Sequence, residues 1–188
     1  IADAPFAAGG FPTAGGKALV DAPGCGAPDY LPNYESVRST PELAARYPLA
    51  MISPPARHFL NSSFVNVPSL RASEGEPVLE MHADDAAARG IADGDVVRIF
   101  NDRGSTLARA VVGAAGEGAG KDAGRARPGV VNGLGVWWRK YGRDGTNVNQ
   151  LTHQRLTDIG RAPAFYDCLV QVERAAATAG EPAAAPAG

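Results

Sequence analysis

Glycine and proline interrupt this sequence so often that each apolar run is only a few residues long. The chain has 188 residues, of which 23 are glycine and 15 are proline, about a fifth of the total against an average of roughly 12%. Such punctuation excludes a coiled coil or a helical bundle, because long helices tolerate neither residue. It also leaves no apolar run long enough to span a membrane. The net charge of -2 provides no basic field for nucleic acid.

Short apolar segments bounded by turn residues predict a mainly β chain. The predicted strands are Tyr47–Ser53, Val78–Met81, Val96–Phe100, Ser105–Val112, Val130–Trp138 and Phe165–Glu173, with a further short one near Lys17–Val20. Pro41–Arg46 and Asp84–Arg89 predict two short helices, because each starts and ends with favourable residues. Residues 54–70 and 113–129 predict long loops, the first with a helical turn near residues 59–62. Many short strands separated by turns favour a closed barrel over an open sheet.

The composition changes along the chain and predicts three regions. Residues 1–45 are rich in glycine, proline and alanine and predict an extended lead. Residues 46–174 carry the strands and predict one folded domain, and residues 175–188 predict a disordered tail. The first residues, IADAPFAAGG, lack a methionine and the pattern of a signal peptide, so we expect a fragment or a processed product. The compartment is not fixed by these residues, and a cytoplasmic location is favoured over a periplasmic one.

The densest polar cluster follows the first buried strand directly. Its candidate binding residues are Ser53, Arg57, His58, Asn61, Ser62 and Ser63. A loop just past a strand end often carries function, because the strand fixes its position. The guanidinium of Arg57 suits a phosphate, and the other groups are neutral donors and acceptors, so the cluster fits an anionic ligand that also has a heteroaromatic ring. The alternative is a polar turn that satisfies its own backbone.

Two later segments are further candidates for ligand contact. In GLGVWW, residues 133–138, the glycines allow close backbone approach and a tryptophan such as Trp138 could stack on a flat ring. A core tryptophan pair is the equally open alternative. In TNVNQLT, residues 146–152, two side-chain amides could read the donor and acceptor edges of a base or pterin. Structural asparagines in turns are the alternative there.

Hydrolytic and metal-based chemistry find little support in the sequence. There is no G-x-S-x-G motif, and His58, His82 and His153 lie far apart along the chain. No H-E-x-x-H spacing and no pair of acidic residues predicts a metal or glycosidase site. Cys168 lies within an apolar strand and is expected to be a buried inert thiol, whereas Cys25 is expected to be exposed. We therefore assign no catalytic residue and no metal ligand to this chain.

The order of the segments carries a resemblance that no single segment carries alone. FPTAGGK is followed by YPLAMISPPARHFLNSSF, DDAAARGIADGDVVRIFNDRG, RPGVVNGLGVWW, NVNQLT and FYDCLVQVE. Over roughly residues 11–174 this resembles the C-terminal molybdopterin-dinucleotide-binding domain of the dimethyl sulfoxide reductase superfamily. The segment GIADGDVVRIFNDRG is its most specific match.

The resemblance implies a six-stranded double-psi β-barrel with one or two short helices and long loops. It implies that the barrel covers one of two pyranopterin guanine dinucleotides that hold molybdenum or tungsten. By the same resemblance, the loop at residues 53–63 wraps the pterin and its phosphate side, and residues 133–138 approach the pterin. Asn149 matches a pterin-contacting asparagine. Tyr166 stands where some members have a basic cofactor contact, and its hydroxyl could still donate.

We therefore expect a cofactor-holding piece of a molybdenum or tungsten oxidoreductase, inactive alone. The expected partner is the remainder of the parent chain, with electron-transfer subunits as further candidates, and we expect neither nucleic acid nor a membrane span. The metal's protein ligand, and any iron–sulfur cluster, would lie upstream, since Cys25 and Cys168 cannot form a cluster motif. A stand-alone double-psi barrel that binds proteins or peptides is the alternative. A small serine–histidine hydrolase is a more remote one.

Overall fold

The structure is a computed structural model that describes residues 6, 9–20, 26–27, 29–113 and 126–176. The chain divides into two compact units, Ile1–Leu31 and Pro32–Gly188. In the described part of the first unit, the rings of Phe6 and Phe11 stack with centroids 4.9 Å apart. The strand predicted near Lys17–Val20 is wrong, because these residues form no strand and Val20 is fully exposed without a sheet to join. The predicted exposure of Cys25 lies outside the described residues.

The second unit is built from six strands and a few short helices among its described residues. The strands are β1 (Leu49–Ile52), β2 (Val78–His82), β3 (Val96–Asn101), β4 (Gly104–Gly113), β5 (Val130–Gly133) and β6 (Leu169–Arg174). The α-helices are α1 (Pro41–Arg46), α2 (Pro68–Glu74) and α3 (Ala83–Ala87), and two 3-10 turns cover Arg139–Tyr141 and Val148–Gln150. None of the described helices approaches the length and apolar character of a membrane span.

The six strands close into a barrel in the order β1-β5-β2-β4-β3-β6. The pairs β1/β5 and β2/β4 are parallel, and the remaining neighbours are antiparallel. Closure leaves no strand with an unpaired edge. The barrel interior is filled by alternating residues of all six strands, among them Met51, Leu79, Ile99, Val131 and Val172. This architecture confirms the predicted mainly β class and its closed six-stranded barrel.

Several predicted boundaries shift for identifiable reasons. The first strand is shorter than predicted, because Tyr47 packs outside the barrel, edge-on to Phe100 with ring centroids 6.2 Å apart. The fifth strand ends at Gly133 and not at Trp138, since Gly135 has a φ of +72° and turns the chain away. The turns at residues 59–62 form no helix, whereas the end of the predicted loop begins α2. Most of the predicted loop at residues 113–129 lies outside the described residues.

Strand directions define two ends of the barrel. β1 and β5 run in parallel, with Ile52 opposite Asn132, and β2, which pairs antiparallel with β5, starts where they finish. The remaining pairings place the end of β3 and the starts of β4 and β6 there too. We call this the upper end. The connections β1–β2 (residues 53–77), β3–β4 and β5–β6 (residues 134–168) therefore all emerge at the upper end, and α3 lies at the lower end.

Candidate functional site

The two long connections at the upper end lie against each other. Although about 80 residues separate their parent strands in sequence, the backbone N–H of Gly135 donates to the carbonyl of Pro54 over 2.9 Å. A Cβ at Gly135 would lie 2.7 Å from the Cβ of Ala56, so a larger residue would force the two connections apart. Every predicted binding residue belongs to one of these two connections. The fold thus brings the sequence-predicted segments to one end of the barrel.

The first connection is fixed by apolar side chains and presents polar ones. Phe59 is 5% exposed and packs edge-on against Trp137, with ring centroids 5.0 Å apart, and Val65 is fully buried. Between these anchors the backbone turns tightly at Asn61, whose φ is +54°, a conformation that asparagine tolerates better than most residues. In the described ranges, no protein group pairs with the side chains of Ser53, Arg57, Asn61, Ser62 and Ser63. These groups are spare hydrogen-bonding capacity at the surface.

His58 differs from its neighbours because its ring is already engaged. Its Nδ1 lies 2.8 Å from Oε2 of Glu74, and its backbone N–H donates to the same oxygen over 2.9 Å. Glu74 is the last residue of α2, and its side chain is only 12% exposed. Sequence reasoning missed this partner, because the helix that carries it has no buried residue and so no apolar periodicity.

The two adjacent tryptophans have different environments, one in the core and one at the surface. Trp137 is 4% exposed and belongs to a small core with Phe59 and Val65. Trp138 is 37% exposed, and its Nε1–H donates to the carbonyl of Ser62 over 2.7 Å. The first is a core residue, and the second joins the two connections at the surface.

The two amides of the third segment also have different environments. Asn147 is used by the fold, since its Nδ2 donates to the carbonyl of Trp137 over 2.8 Å and its Oδ1 accepts the backbone N–H of Asn149 over 3.1 Å. Asn149 is exposed, and its side chain has no partner among the described residues. A small cavity of about 20 Å³ beneath this segment is lined by Trp137, Asn147 and Val148 together with strand residues. It has room for roughly one water molecule, so it is not the ligand site.

A buried network that sequence reasoning missed fixes the turn carrying Asn149. Three donors converge on the carbonyl of Leu151: Asn101 Nδ2 at 2.9 Å, Arg103 Nε at 2.6 Å and Cys168 Sγ at 3.2 Å. Asn101 also donates to the carbonyl of Leu169 over 3.1 Å. The β3–β4 hairpin thereby holds the β5–β6 connection in place. In the sequence these residues indicate only a hairpin turn, so no signal pointed to the network.

Charge in this network is balanced by Glu35. Its carboxylate accepts from both terminal nitrogens of Arg103, at 2.6 and 3.0 Å, and from the backbone N–H of Leu169 at 3.0 Å. Burial raises the pKa of Glu35, but these hydrogen bonds and the charge of Arg103 outweigh it and leave the pKa below its usual value. Burial raises the pKa of the Cys168 thiol to about 11 despite the nearby guanidinium. The prediction of a buried, inert thiol is confirmed in its burial, and this pKa argues against a nucleophile.

Tyr166 stands apart from the other predicted residues. It is 47% exposed, and its ring packs against Phe165 with centroids 4.4 Å apart. It precedes β6 in the β5–β6 connection, so it lies at the upper end. In the described part of the chain its hydroxyl makes no contact with the other candidate residues.

Comparisons with known proteins agree with this geometry. Residues 49–169 match the family described as "Molydopterin dinucleotide binding domain". The chain is 34% identical over 151 residues to "Dimethyl sulfoxide reductase DmsA" of Escherichia coli, covering 78% of this chain and 17% of that protein. It is 50% identical over 66 residues to "Dimethyl sulfoxide/trimethylamine N-oxide reductase" of Rhodobacter capsulatus, covering 34% of this chain and 8% of that protein.

A solved structure shows the same fold. "Acetylene Hydratase from Pelobacter acetylenicus" superposes with a TM-score of 0.62 at 16% sequence identity, covering 79% of this chain and 21% of that one. The chain thus spans about a fifth or less of each relative named here. The family match covers almost the whole barrel and both connections, from the start of β1 to the start of β6.

These matches lend no support to a stand-alone peptide-binding barrel, and they confirm the resemblance drawn from the order of the segments. Strands, connections and sequence relatives lead to one assignment: this chain belongs to the molybdopterin-dinucleotide-binding domain family and is homologous to part of the dimethyl sulfoxide reductase-type oxidoreductases.

Proposed function

We propose that the upper end of this barrel holds one pyranopterin guanine dinucleotide of a molybdenum or tungsten oxidoreductase. The observation that carries the proposal is the meeting of two sequence-distant connections, whose exposed polar side chains have no partner among the described residues. Polar groups that a fold orders but does not use are suited to a ligand, because their positions are fixed before it binds.

The donor set fits such a group. A pyranopterin dinucleotide combines anionic phosphates with flat rings that carry both donors and acceptors. Arg57 offers a forked cation to the phosphates, and Asn149 offers an amide that can both donate and accept at a ring edge. Ser53, Asn61, Ser62 and Ser63 offer small neutral groups, and Gly135 lets the two connections approach closely. Trp138 borders the same surface, and Tyr166 supplies a hydroxyl farther along the upper end.

The proposed mechanism is positional. When bound, the cofactor supplies the redox-active metal. This chain's own side chains bind the dinucleotide, orient its rings and exclude water from one side of it. We propose no nucleophile, no proton transfer and no covalent step for these residues. Hydrogen bonds to the pterin would also tune the potential of the metal.

The rest of the enzyme belongs to polypeptide beyond this chain. We propose that residues 46–174 form the binding domain, with residues 1–45 as a lead from which Glu35 joins the network at the upper end, and residues 175–188 as a tail. The metal's protein ligand, an iron–sulfur cluster and any electron-transfer subunit would lie in the remainder of the parent enzyme or its partners. Large exposed apolar residues at the upper end, Leu60, Phe64, Phe165 and Tyr166 among them, suit contact with that remainder.

The test is cofactor retention by the parent enzyme. We expect Arg57→Ala combined with Asn149→Ala to lower the molybdenum or tungsten content and the pterin content of the purified enzyme at least several-fold. Arg127→Ala is the matched control, because Arg127 is an exposed arginine close to the start of β5 at the lower end. Unchanged metal and pterin in the double variant would contradict the proposal.

A further inference from the structure

The contact between His58 and Glu74 fixes where the imidazole carries its proton. The Nδ1 of His58 lies 2.8 Å from a carboxylate oxygen, and an ionised carboxylate can only accept a hydrogen bond. Nδ1 must therefore donate. In the neutral ring the proton then sits on Nδ1, and Nε2 carries a lone pair.

The two other histidines have the opposite arrangement. The Nδ1 of His82 accepts the backbone N–H of Asp84 over 3.2 Å, with a carboxylate oxygen of Asp84 farther away at 3.5 Å, and the Nδ1 of His153 accepts the backbone N–H of Arg155 over 3.1 Å. An accepting Nδ1 leaves the proton of a neutral ring on Nε2. These contacts therefore assign one tautomer to His58 and the other to His82 and His153, and of the three only His58 is among the proposed binding residues.

The Nε2 of His58 can accept a hydrogen bond, whereas Arg57 can only donate, so the two residues suit different parts of the ligand. The His58 side chain is 35% exposed, and its Nε2 has no partner within residues 29–113 and 126–176. A lone pair there accepts from an N–H or an amino group, which the pterin and guanine rings have and an ionised phosphate lacks. The guanidinium of Arg57 can only donate, which suits phosphate.

We propose that Glu74 is a positioning residue that commits the proton of His58 to Nδ1, so that Nε2 accepts from a ring N–H or amino group of the bound heterocycle while Arg57 serves the phosphates. The proposal rests on the function proposed above and deepens it, by assigning adjacent residues to different parts of the ligand. It also gives a role to α2, which otherwise buries no residue.

The tautomer can be measured without any cofactor. Because the barrel closes around its own core, the full chain labelled with ¹⁵N is suitable for NMR of the histidine rings. At about pH 8.5, where an ordinary histidine is neutral, we expect the proton on Nδ1 in His58 and on Nε2 in His82 and His153. A proton on Nε2 of His58 would overturn the proposal. Addition of inorganic phosphate should leave the His58 signals unchanged, and a phosphate-induced protonation of Nε2 would also overturn it.

Two variants of Glu74 separate its positioning role from a merely structural one. Glu74→Gln keeps an accepting oxygen, so His58 should keep its tautomer. Glu74→Ala removes the acceptor, so the proton should redistribute towards Nε2, while His82 and His153 keep their signals and report an intact fold. An unchanged His58 tautomer in a folded Glu74→Ala variant would refute the role of Glu74. Should that variant not fold, the wild-type and Glu74→Gln spectra decide.

Cofactor retention distinguishes this proposal from the broader one. In the parent enzyme we expect Glu74→Ala to lower pterin retention about tenfold, as for a lost hydrogen bond to the ligand, and Glu74→Gln to restore most of it. Normal retention in Glu74→Ala, with loss in the Arg57→Ala and Asn149→Ala double variant, would refute only the role of Glu74. Normal retention in the double variant would refute the proposed function itself.

Discussion

The two ends of the barrel use polar side chains in opposite ways. At the lower end, carboxylates accept from backbone N–H groups: Asp85 from Gly129 and Asp93 from Val112, both distant along the chain, and Asp95 from Ala92 within one turn, all within 2.9 Å. At the upper end, Arg57, Asn61 and Asn149 are exposed without a partner among the described residues. The polar side chains named at the lower end therefore stabilise the fold, whereas those named at the upper end remain available. Local polar composition alone does not distinguish the two cases.

The upper end is nevertheless held in place by buried hydrogen bonds beneath its exposed polar side chains. We call this group of bonds, centred on Asn101, the anchor. Asn101 is 9% exposed and bonds two carbonyls of the β5–β6 connection and its surroundings. We expect Asn101→Ala to lower the free energy of unfolding by about 3 kcal/mol, because buried acceptors lose their donor. Chemical denaturation measures it. Asn66→Ala, at an exposed asparagine in the β1–β2 connection, should change stability by less than about 0.5 kcal/mol. Equal losses of stability in the two variants would contradict the difference between the buried anchor and the exposed surface.

Close approach of the two connections predicts the next largest effect. Gly135→Ala adds a Cβ 2.7 Å from that of Ala56 at a residue with positive φ, and we expect a loss of about 2–3 kcal/mol. Gly94 at the lower end also has positive φ, but nothing lies within 4 Å of its added Cβ. Gly94→Ala should therefore cost only the backbone strain, about 1 kcal/mol. Thermal and chemical unfolding of both variants would show the difference, and a larger loss in Gly94→Ala would contradict it.

A direct contrast between the ends comes from one polar residue at each. Asp93→Ala removes the acceptor of the Val112 N–H, and we expect it to cost about 1 kcal/mol of stability with normal cofactor retention. Asn149→Ala should change stability by less than about 0.5 kcal/mol and lower cofactor retention. Unfolding of the chain and pterin content of the parent enzyme measure the two effects. Loss of cofactor in Asp93→Ala together with loss of stability in Asn149→Ala would contradict this contrast between the two ends.

The smallest expected effect is a change in how the free energy of unfolding depends on pH, caused by Glu35 at the upper end. Because the pKa of Glu35 is lower in the folded chain than its usual value of 4.5, its stabilisation is complete above that value and is lost as the pH falls through the lowered pKa. Glu35→Gln removes this titration. The stability difference between wild type and Glu35→Gln should therefore shrink as the pH falls below 4.5 in urea unfolding. If the stability difference did not change with pH, the charge of Glu35 would not contribute to stability.

The sequence predicted the strands and helix α3 better than it predicted helix α2 and the exact start of β6. Apolar runs between glycines and prolines located the core of each barrel strand, and the acidic start of α3 was visible in Asp84 and Asp85. Helix α2 was not, since a helix that buries nothing leaves no periodic signal. β6 begins at Leu169 because Phe165 and Tyr166, although aromatic, are exposed and do not join the sheet.

The candidate site was predictable as segments and not as a surface. The polar residues at 53–63 and at 149 could be named from their types, but their proximity depends on the parallel pairing of β1 with β5. No local pattern encodes that pairing. The engagement of His58 by Glu74 and the anchor on Leu151 arise from tertiary contacts across 16 and about 50 residues, respectively. The ligand roles of the individual residues remain predictions.

The strand order also dictates when the upper end can form during synthesis. β1 finds its two barrel neighbours only in β5 and β6, so Leu49–Ile52 must wait for residues beyond 130 and then beyond 168. Contacts so distant along the chain form slowly. A nascent polypeptide therefore leaves the ribosome with the upper end of its barrel incomplete until the last strand emerges, so the proposed cofactor site can form only after this region is translated.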